Sequence, residues 1–180
     1  MEITETPLKG LFVIKPKVFE DARGYFFESY NDQVFRKAGL HLNFVQDNQS
    51  LSNKGVLRGL HFQNPPHAQG KLVRVITGAV FDVAVDIRKN SPTYSRWFGL
   101  ELNEQNKQMM YIPEGFAHGF ATLRDGTVFS YKCTAFYNKD AEDCLLWNDS
   151  DIGIDWRIQN PLLSDKDLQG KKLMNFHSLF

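Results

Sequence analysis

The chain has 180 residues with 21 basic and 21 acidic side chains, so it carries no formal net charge at neutral pH. This length can bury one core and no linker-like stretch divides it, so we predict a single domain over residues 1–180. The charge balance argues against broad electrostatic capture of nucleic acid or of an anionic membrane surface.

The N-terminus and the cysteines indicate the compartment. A signal peptide begins with a basic segment followed by an apolar one, whereas residues 1–5 are acidic, so no signal peptide is predicted. No long uninterrupted apolar segment is present either, so no membrane helix is predicted. Cys133 and Cys144 lack paired metal-ligand spacing, and a disulfide framework is not expected in a chain of this size. We expect a cytoplasmic protein with two reduced thiols.

The first elements in chain order are short. Strands are predicted at residues 10–14 and 26–29, followed by one helix. Asn31 or Asp32 can cap that helix, a short apolar stripe follows, and Gly39 can end it.

From residue 45 onward the apolar residues recur with a period of two, which is typical of strands. In residues 79–87, Asp82 and Asp86 fall on one face of the strand and Phe81 and Val83 on the other. The predicted strands are 45–51, 71–76, 79–87, 97–102, 108–112, 119–122 and 127–134, and residues 57–63 have strand-like spacing.

Many short strands with frequent turns favour an all-β fold, an antiparallel barrel or jelly roll with a few short helices. The mouth of such a barrel can hold a small ligand.

Two sequence clusters carry candidate chemistry. Arg58 and His61 stand in an apolar frame, and Lys71 follows shortly after. Arginine can grip an anion, a neutral imidazole can take a proton near pH 7, and an ammonium can stabilise the resulting negative charge. The second cluster, at residues 111–120, contains His118 between turn residues and aromatics. We expect the two clusters to form one site for proton abstraction beside a charged ligand.

The second cluster also resembles a motif of the cupins. Aligned on it, the usual metal-ligand positions would be Pro65, His67, Lys71 and His118. A proline and a cation then stand where a divalent metal requires a neutral donor and a carboxylate, so no bound metal is expected.

Several motifs in order resemble a known family, the nucleotide-sugar 3,5-epimerases that act on dTDP-4-dehydro-6-deoxyglucose in L-rhamnose synthesis. Each motif alone would be weak, but their common order makes coincidence improbable. The motifs are Asp21-x-Arg23-Gly24-x-Phe26-x-Glu28, Gln46-Asp47-Asn48-x-Ser50, Leu57-Arg58-Gly59-Leu60-His61-Phe62-Gln63, Lys71-x-Val73-Arg74-Val75, Asp82-x-x-x-Asp86-Ile87-Arg88, Ser91-Pro92-Thr93-Tyr94, Ile112-Pro113-x-Gly115-Phe116-Ala117-His118-Gly119-Phe120, Tyr131-x-Cys133-Thr134-x-x-Tyr137 and Leu163-Ser164-x-Lys166-Asp167.

The resemblance implies a catalytic set and no cofactor. His61 would be the base, oriented by Asp167, with Asp82 as the local rival for that role. Tyr131 would return a proton from the opposite face of the sugar. Lys71 would polarise the C4 oxygen, and His118 would assist in the same pocket.

The resemblance also implies binding residues for a nucleotide diphosphate. Arg23 and Arg58 would hold the pyrophosphate, and Tyr137 would stack on thymine. The further matching positions are Glu28, Gln46, Asp47, Asn48, Glu142 and Lys166. A homodimer is implied too, with N-terminal strands exchanged so that Arg23 or Glu28 contacts the partner's site.

Three alternatives remain open at this point. A related mono-epimerase would invert only C3 or only C5 of a 4-keto nucleotide sugar. A non-catalytic barrel would bind a nucleotide sugar without turnover, and a metal-dependent cupin oxygenase or isomerase would contain stoichiometric iron or zinc.

Overall fold

The computed structural model describes residues 1–180. Its strands form two antiparallel sheets and one exposed two-stranded hairpin. The first sheet has the strand order β1-β2-β10-β7-β12-β5 and the second has the order β13-β6-β11-β8-β9. The strands are β1 (Glu2–Glu5), β2 (Phe12–Lys15), β3 (Phe19–Asp21), β4 (Gly24–Phe26), β5 (Gln46–Ser52), β6 (Leu57–Gln63), β7 (Lys71–Thr77), β8 (Ala79–Asp86), β9 (Trp97–Asn103), β10 (Met109–Ile112), β11 (Phe116–Thr122), β12 (Thr127–Cys133) and β13 (Glu142–Cys144).

Helix is a minority element, as predicted. Helix α1 spans Asp32–Lys37, and the Asn31 side chain caps it by accepting hydrogen bonds from the amides of Gln33 and Val34. Gly39 follows with φ +82°, the left-handed conformation expected where a helix ends. The other helices are α2 (Asp165–Leu168) and a 3₁₀ turn at Leu173–Asn175, and none of the three is long and apolar enough to cross a membrane.

The predicted strand at 26–29 is wrong for most of its length. Strand β4 ends at Phe26 and pairs only with β3 in a two-stranded hairpin. Three large apolar side chains of this hairpin, Phe19, Tyr25 and Phe26, are exposed.

The core is formed on both faces of the second sheet. Between the two sheets, Val80 and Phe120 of the second sheet pack with Val73 and Phe129 of the first. The opposite face is covered by the C-terminal segment, where Trp156 and Phe176 pack against Leu57, Phe81 and Val83. The predicted division of β8 into two faces is confirmed, and because both faces are covered, its aspartates are buried as well.

A bulge in β6 determines which side chains enter the space between the sheets. His61 pairs with His118, but Arg58 pairs with Phe120, so β6 has one residue more than β11 between the two pairs. The two strands lie so close together there that a Cβ on Gly59 would be 2.5 Å from the Cα of Gly119. Residues three apart in a regular strand face opposite sides, and the extra residue brings Arg58 and His61 to the same side.

Candidate active site

Two adjoining cavities open between the sheets, and Tyr131 borders both; together we call them the cup. The histidine cavity, of about 170 Å³, is lined by Gln49, Ser50, Arg58, His61, His118, Phe120, Phe129 and Tyr131. The lysine cavity, of about 310 Å³, is lined by Gln46, Asn48, Gln63, Gln69, Lys71, Tyr131, Tyr137 and Glu142. Residues of both sequence clusters therefore border the same cup.

His61 lies on β6 and contacts a buried carboxylate that comes from the C-terminal helix α2. Its Nε2 atom is 2.7 Å from Oδ1 of Asp167, and the side chains are 27% and 3% exposed. The contact is close but not aligned as a regular hydrogen bond, since Nε2 is buried without a well-directed partner. Because Asp167 lies against Nε2, Nδ1 is the nitrogen left to exchange a proton with a ligand.

The Asp167 carboxylate is held in its ionised form. Burial alone would raise its pKa, but contacts with His61, Ser164 and the amide of Gly59 outweigh burial and lower the pKa to about 2. An anion beside Nε2 favours the tautomer that carries its proton there, which leaves Nδ1 as the hydrogen-bond acceptor.

His118 lies directly opposite His61 in the strand register, yet it contacts a different carboxylate. Its Nε2 atom is 2.8 Å from Oδ1 of Asp82 on β8, and both side chains are buried. Burial raises the pKa of Asp82, although the neighbouring His118 and Lys71 oppose the rise. Asp82 is therefore the partner of His118, and Asp167 is the carboxylate that contacts His61.

Lys71 begins β7 and contributes an ammonium group to the lysine cavity. Burial lowers its pKa, while the negative charges of Glu142 and Asp82 oppose that change. A cation that is poorly solvated and makes no ion pair within the chain is suited to bind negative charge on a ligand.

Tyr131 lies on β12 between the two cavities, and its pKa is raised mainly by burial. Its hydroxyl consequently keeps its proton at neutral pH and can donate it.

Tyr137 and Glu142 line the lysine cavity, and Lys166 lies against Glu142. The Tyr137 hydroxyl donates a 2.9 Å hydrogen bond to Oε2 of Glu142, and Lys166 forms an ion pair with Oε1. Burial would raise the pKa of Glu142, but Lys166 and Tyr137 outweigh it and lower the pKa, so the carboxylate is ionised. The exposed ring of Tyr137 and the ammonium group of Lys166 are groups that a nucleotide could contact.

Of the other predicted binding residues, Arg58, Gln46 and Asn48 line the cup. Arg58 Nε donates to the hydroxyl of Ser52, which leaves other N–H groups of the guanidinium free. The Gln46 amide donates to Asn48, and its oxygen accepts from the backbone of Tyr137.

Three predicted binding residues lie outside the cup. Asp47 points to the opposite face of β5, where it forms an exposed ion pair with Lys132, because neighbouring strand residues face opposite sides. Arg23 is 90% exposed and pairs only with Asp21, on the hairpin, beside an open hollow of about 530 Å³. Glu28 accepts a hydrogen bond from Asn31 near the start of α1.

The positions of a cupin metal site do not form a ligand set here. Pro65 and His67 are exposed, and Lys71 is a cation. One other group has donor atoms within 4.8 Å of one another, namely His61, Cys144 and Asp167. Burial raises the pKa of Cys144 to about 12, so this thiol is protonated and a poor metal ligand.

Sequence reasoning missed several residues that shape the cup. The side-chain amide of Gln63 donates to the carbonyls of His67 and Phe136, and its oxygen accepts from the amide of Asn138, which fastens the loops around the lysine cavity. Ser164 lies in one of the family motifs, and the spacing Ser164-x-x-Asp167 is a helix-capping signature from which its contact with Asp167 could have been predicted.

A scan against protein families gives one match, described as dTDP-4-dehydrorhamnose 3,5-epimerase and covering residues 5–175. A curated protein of that description from Shigella flexneri is 54% identical over 176 residues, which is 97% of each chain.

Solved structures extend the comparison. A dTDP-6-deoxy-D-glucose-3,5-epimerase from Legionella pneumophila in complex with dTDP-4-keto-L-rhamnose is 44% identical, with a TM-score of 0.94 and coverage of 98% of this chain and 94% of the other. A 3′-monoepimerase from Streptomyces bikiniensis in complex with dTDP-quinovose is 31% identical, with a TM-score of 0.89 and coverage of 94% and 86%.

Proposed function

The chain belongs to the dTDP-4-dehydrorhamnose 3,5-epimerase family, and from this premise we propose that it converts dTDP-4-dehydro-6-deoxy-D-glucose to dTDP-4-dehydro-L-rhamnose by inverting C3 and C5. The observation that carries the proposal is the shared cavity of His61 and Tyr131, with the ionised Asp167 behind His61. A base and an acid that border one cavity are what inversion at carbon requires.

The chemistry begins at the C4 keto group, which acidifies the protons at C3 and C5. Nδ1 of His61 removes one of these protons, and negative charge develops on the C4 oxygen. Lys71 and His118 stabilise that oxygen; loss of such a donor typically costs about 3 to 4 kcal/mol in the transition state. Tyr131 then donates a proton to the opposite face of the carbon, which inverts it.

The rest of the substrate is held by the remaining cup residues. Arg58 suits the pyrophosphate, because guanidinium groups bind phosphate oxygens in a fork. The exposed ring of Tyr137 suits thymine, with Glu142 and Lys166 beside it, and Gln46 and Asn48 supply amide groups on β5.

Every step transfers a proton, so we propose that no redox cofactor or metal takes part. Extensive dialysis against a chelator, with metal analysis before and after, tests this. Unchanged activity in a protein free of stoichiometric metal is expected, whereas activity that disappears and returns with iron or zinc would contradict it.

We further propose a homodimer in which Arg23 and Glu28 reach the partner's cup. Both residues lie outside the cup of their own chain, on or near a hairpin whose aromatic side chains are exposed. We keep the cytoplasm as the proposed compartment, because both buried cysteines are free thiols.

Mixed dimers test the shared site. Arg23→Ala and His61→Asn dimers, each inactive, are dissociated together and allowed to reassociate. If Arg23 acts in trans, each hybrid dimer contains one native site, and about a quarter of the wild-type activity returns at random reassociation. No recovery, despite verified hybrid dimers, would mean that Arg23 acts within its own chain.

The function itself is tested by incubating the purified protein with dTDP-4-dehydro-6-deoxy-D-glucose and a reductase that consumes only the L-rhamno product. Formation of dTDP-L-rhamnose is expected. Accumulation of a sugar inverted at one carbon would identify a mono-epimerase, and tight binding without turnover would identify a nucleotide-sugar-binding barrel.

A further inference from the structure

Helix α2 begins with a reciprocal cap whose second member is the carboxylate that contacts His61. The hydroxyl oxygen of Ser164 accepts a hydrogen bond from the amide of Asp167 at 3.3 Å. In return, Oδ2 of Asp167 accepts from the Ser164 hydroxyl at 2.6 Å and from the Ser164 amide at 3.2 Å. One serine therefore makes three hydrogen bonds with a single aspartate.

The two carboxylate oxygens of Asp167 have separate partners. Oδ2 is occupied by the two donors of Ser164, whereas Oδ1 accepts from the amide of Gly59 at 3.1 Å and lies 2.7 Å from Nε2 of His61. Because Ser164 fixes Oδ2 and Gly59 fixes Oδ1, the carboxylate cannot rotate without breaking one of these bonds. The orientation of the oxygen that faces His61 thus depends on a residue that does not itself line the cup.

We propose that Ser164 is a positioning residue for proton abstraction, acting on His61 through Asp167. This inference rests on the proposed epimerase function and extends it. The Ser164 hydroxyl keeps Oδ1 against Nε2, and Oδ1 keeps the Nε2–H tautomer, so that Nδ1 faces the ligand ready to accept a proton. Without the hydroxyl, Oδ2 keeps only the backbone amide of residue 164 as a donor, so Asp167 is held less firmly and the preference of His61 for one tautomer weakens. Removal of the outer hydrogen-bond partner of a metal-bound histidine typically lowers activity by about 10- to 100-fold, and we expect a loss of the same order here.

Two substitutions test the hydroxyl, and the chain offers a matched control. Ser164→Ala removes the hydroxyl, and Ser164→Thr retains it. Ser91→Ala is the control, because the Ser91 hydroxyl also donates a 2.6 Å hydrogen bond to a buried aspartate, Asp86, whose pKa is likewise lowered to about 2 although burial would raise it. Neither Ser91 nor Asp86 lines the cup.

Two readouts are required. The first is the rate of deuterium incorporation into dTDP-4-dehydro-6-deoxy-D-glucose in deuterated water, measured with kcat and KM. The second is the ¹⁵N spectrum of His61 in the ligand-free protein, which reports its tautomer without any substrate. For Ser164→Ala we expect exchange and kcat to fall by about 10- to 100-fold, KM to change less than about twofold, and the preference for Nε2–H to weaken. Ser164→Thr should restore both readouts, and Ser91→Ala should alter neither.

An unchanged tautomer and exchange rate in Ser164→Ala would overturn the inference, as would an equal loss of exchange in Ser91→Ala. A wild-type protein that showed no exchange would instead refute the proposed function, and the tautomer measurement would then still decide whether Ser164 orients the imidazole.

Discussion

His61 and His118 face each other across β6 and β11, but each imidazole contacts its own carboxylate. Burial would raise the pKa of Asp167, which His61 contacts. The contacts with His61, Ser164 and Gly59 outweigh the effect of burial and lower this pKa to about 2. Asp82, the partner of His118, has a pKa raised by burial. The two histidines are therefore not equivalent: His61 has an anionic partner on a helix and one free nitrogen, whereas His118 is buried in the sheet. This difference supports the proposed division of roles between His61 as the base and His118 as an auxiliary donor.

Replacing His61 by asparagine should lower turnover by about 10²- to 10⁴-fold, as expected for loss of a general base. Affinity for dTDP should change little, because the proposed contacts with the pyrophosphate and thymine are made by Arg58 and Tyr137 rather than by His61. The measurements are kcat with the full substrate and calorimetric titration with dTDP. Retained turnover would assign the base to another residue.

Replacing Tyr131 by phenylalanine should separate exchange from inversion. His61 can still remove and return a proton on one face, so deuterium should still enter the substrate while formation of the inverted sugar falls. The two rates are measured on the same sample by NMR. Tyr111→Phe is a suitable control, because Tyr111 is buried in a different cluster outside the cup. Equal loss of exchange and inversion in Tyr131→Phe would contradict this division of labour.

The alkaline limb of the rate profile should report Lys71. Burial lowers the pKa of Lys71 and raises the pKa of Tyr131, so an alkaline limb below the ordinary lysine pKa is expected to belong to Lys71. Since the protonated form stabilises the C4 oxygen, kcat should fall as the pH passes through the lowered pKa of Lys71. Lys71→Arg should move this limb upward, and Lys132→Arg should leave it in place.

A limb at or above the ordinary lysine pKa would contradict this assignment.

Lys71→Met should lower kcat with a modest change in binding, and a strong loss of binding with normal turnover would instead assign Lys71 to the phosphates.

Asp86 should stabilise the fold independently of the cup. Arg88, Ser91 and Thr93 donate hydrogen bonds to its carboxylate, and although burial raises its pKa, these bonds outweigh burial and lower it from 3.8 to about 2. A depressed pKa contributes stability that is present above the unfolded value and lost as the pH falls through the folded value. Asp86→Asn should therefore cost about 2 kcal/mol at pH 7, and the difference from wild type should shrink between about pH 4 and pH 2.

Urea unfolding at several pH values measures this difference, with Asp21→Asn as an exposed control that should change stability little. A constant difference between the Asp86→Asn variant and the wild type from pH 7 to pH 2 would contradict the account.

The sequence predicted elements whose signals are local. Asn31 and Gly39 mark the ends of α1, and the two-residue period of β8 assigns its faces correctly. Strands β1, β3 and β13 were missed because three or four mostly polar residues give no usable period. The strand at 26–29 was misplaced because the hairpin that contains Phe26 pairs only with itself.

Site residues were less accessible to sequence reasoning where distant segments meet. Arg58 and His61 reach the same cavity only because Gly59 and Gly119 allow a bulge between two strands. Neighbouring residues in the sequence do not show whether Asp82 or Asp167 is the partner of His61, because Asp167 contacts β6 although it lies 108 residues after Gly59. Family resemblance identified Asp167, and Ser164 became informative only when its contact with that carboxylate was known.

The central claim is that one cup removes protons from both C3 and C5 of a 4-keto nucleotide sugar. The most direct measurement is incubation of the protein with dTDP-4-dehydro-6-deoxy-D-glucose in deuterated water, with both carbons followed by NMR. Deuterium should enter at both C3 and C5 with the wild-type protein, and exchange at both carbons should be lost in His61→Asn. Deuterium at only one carbon, or exchange that survives in His61→Asn, would contradict it.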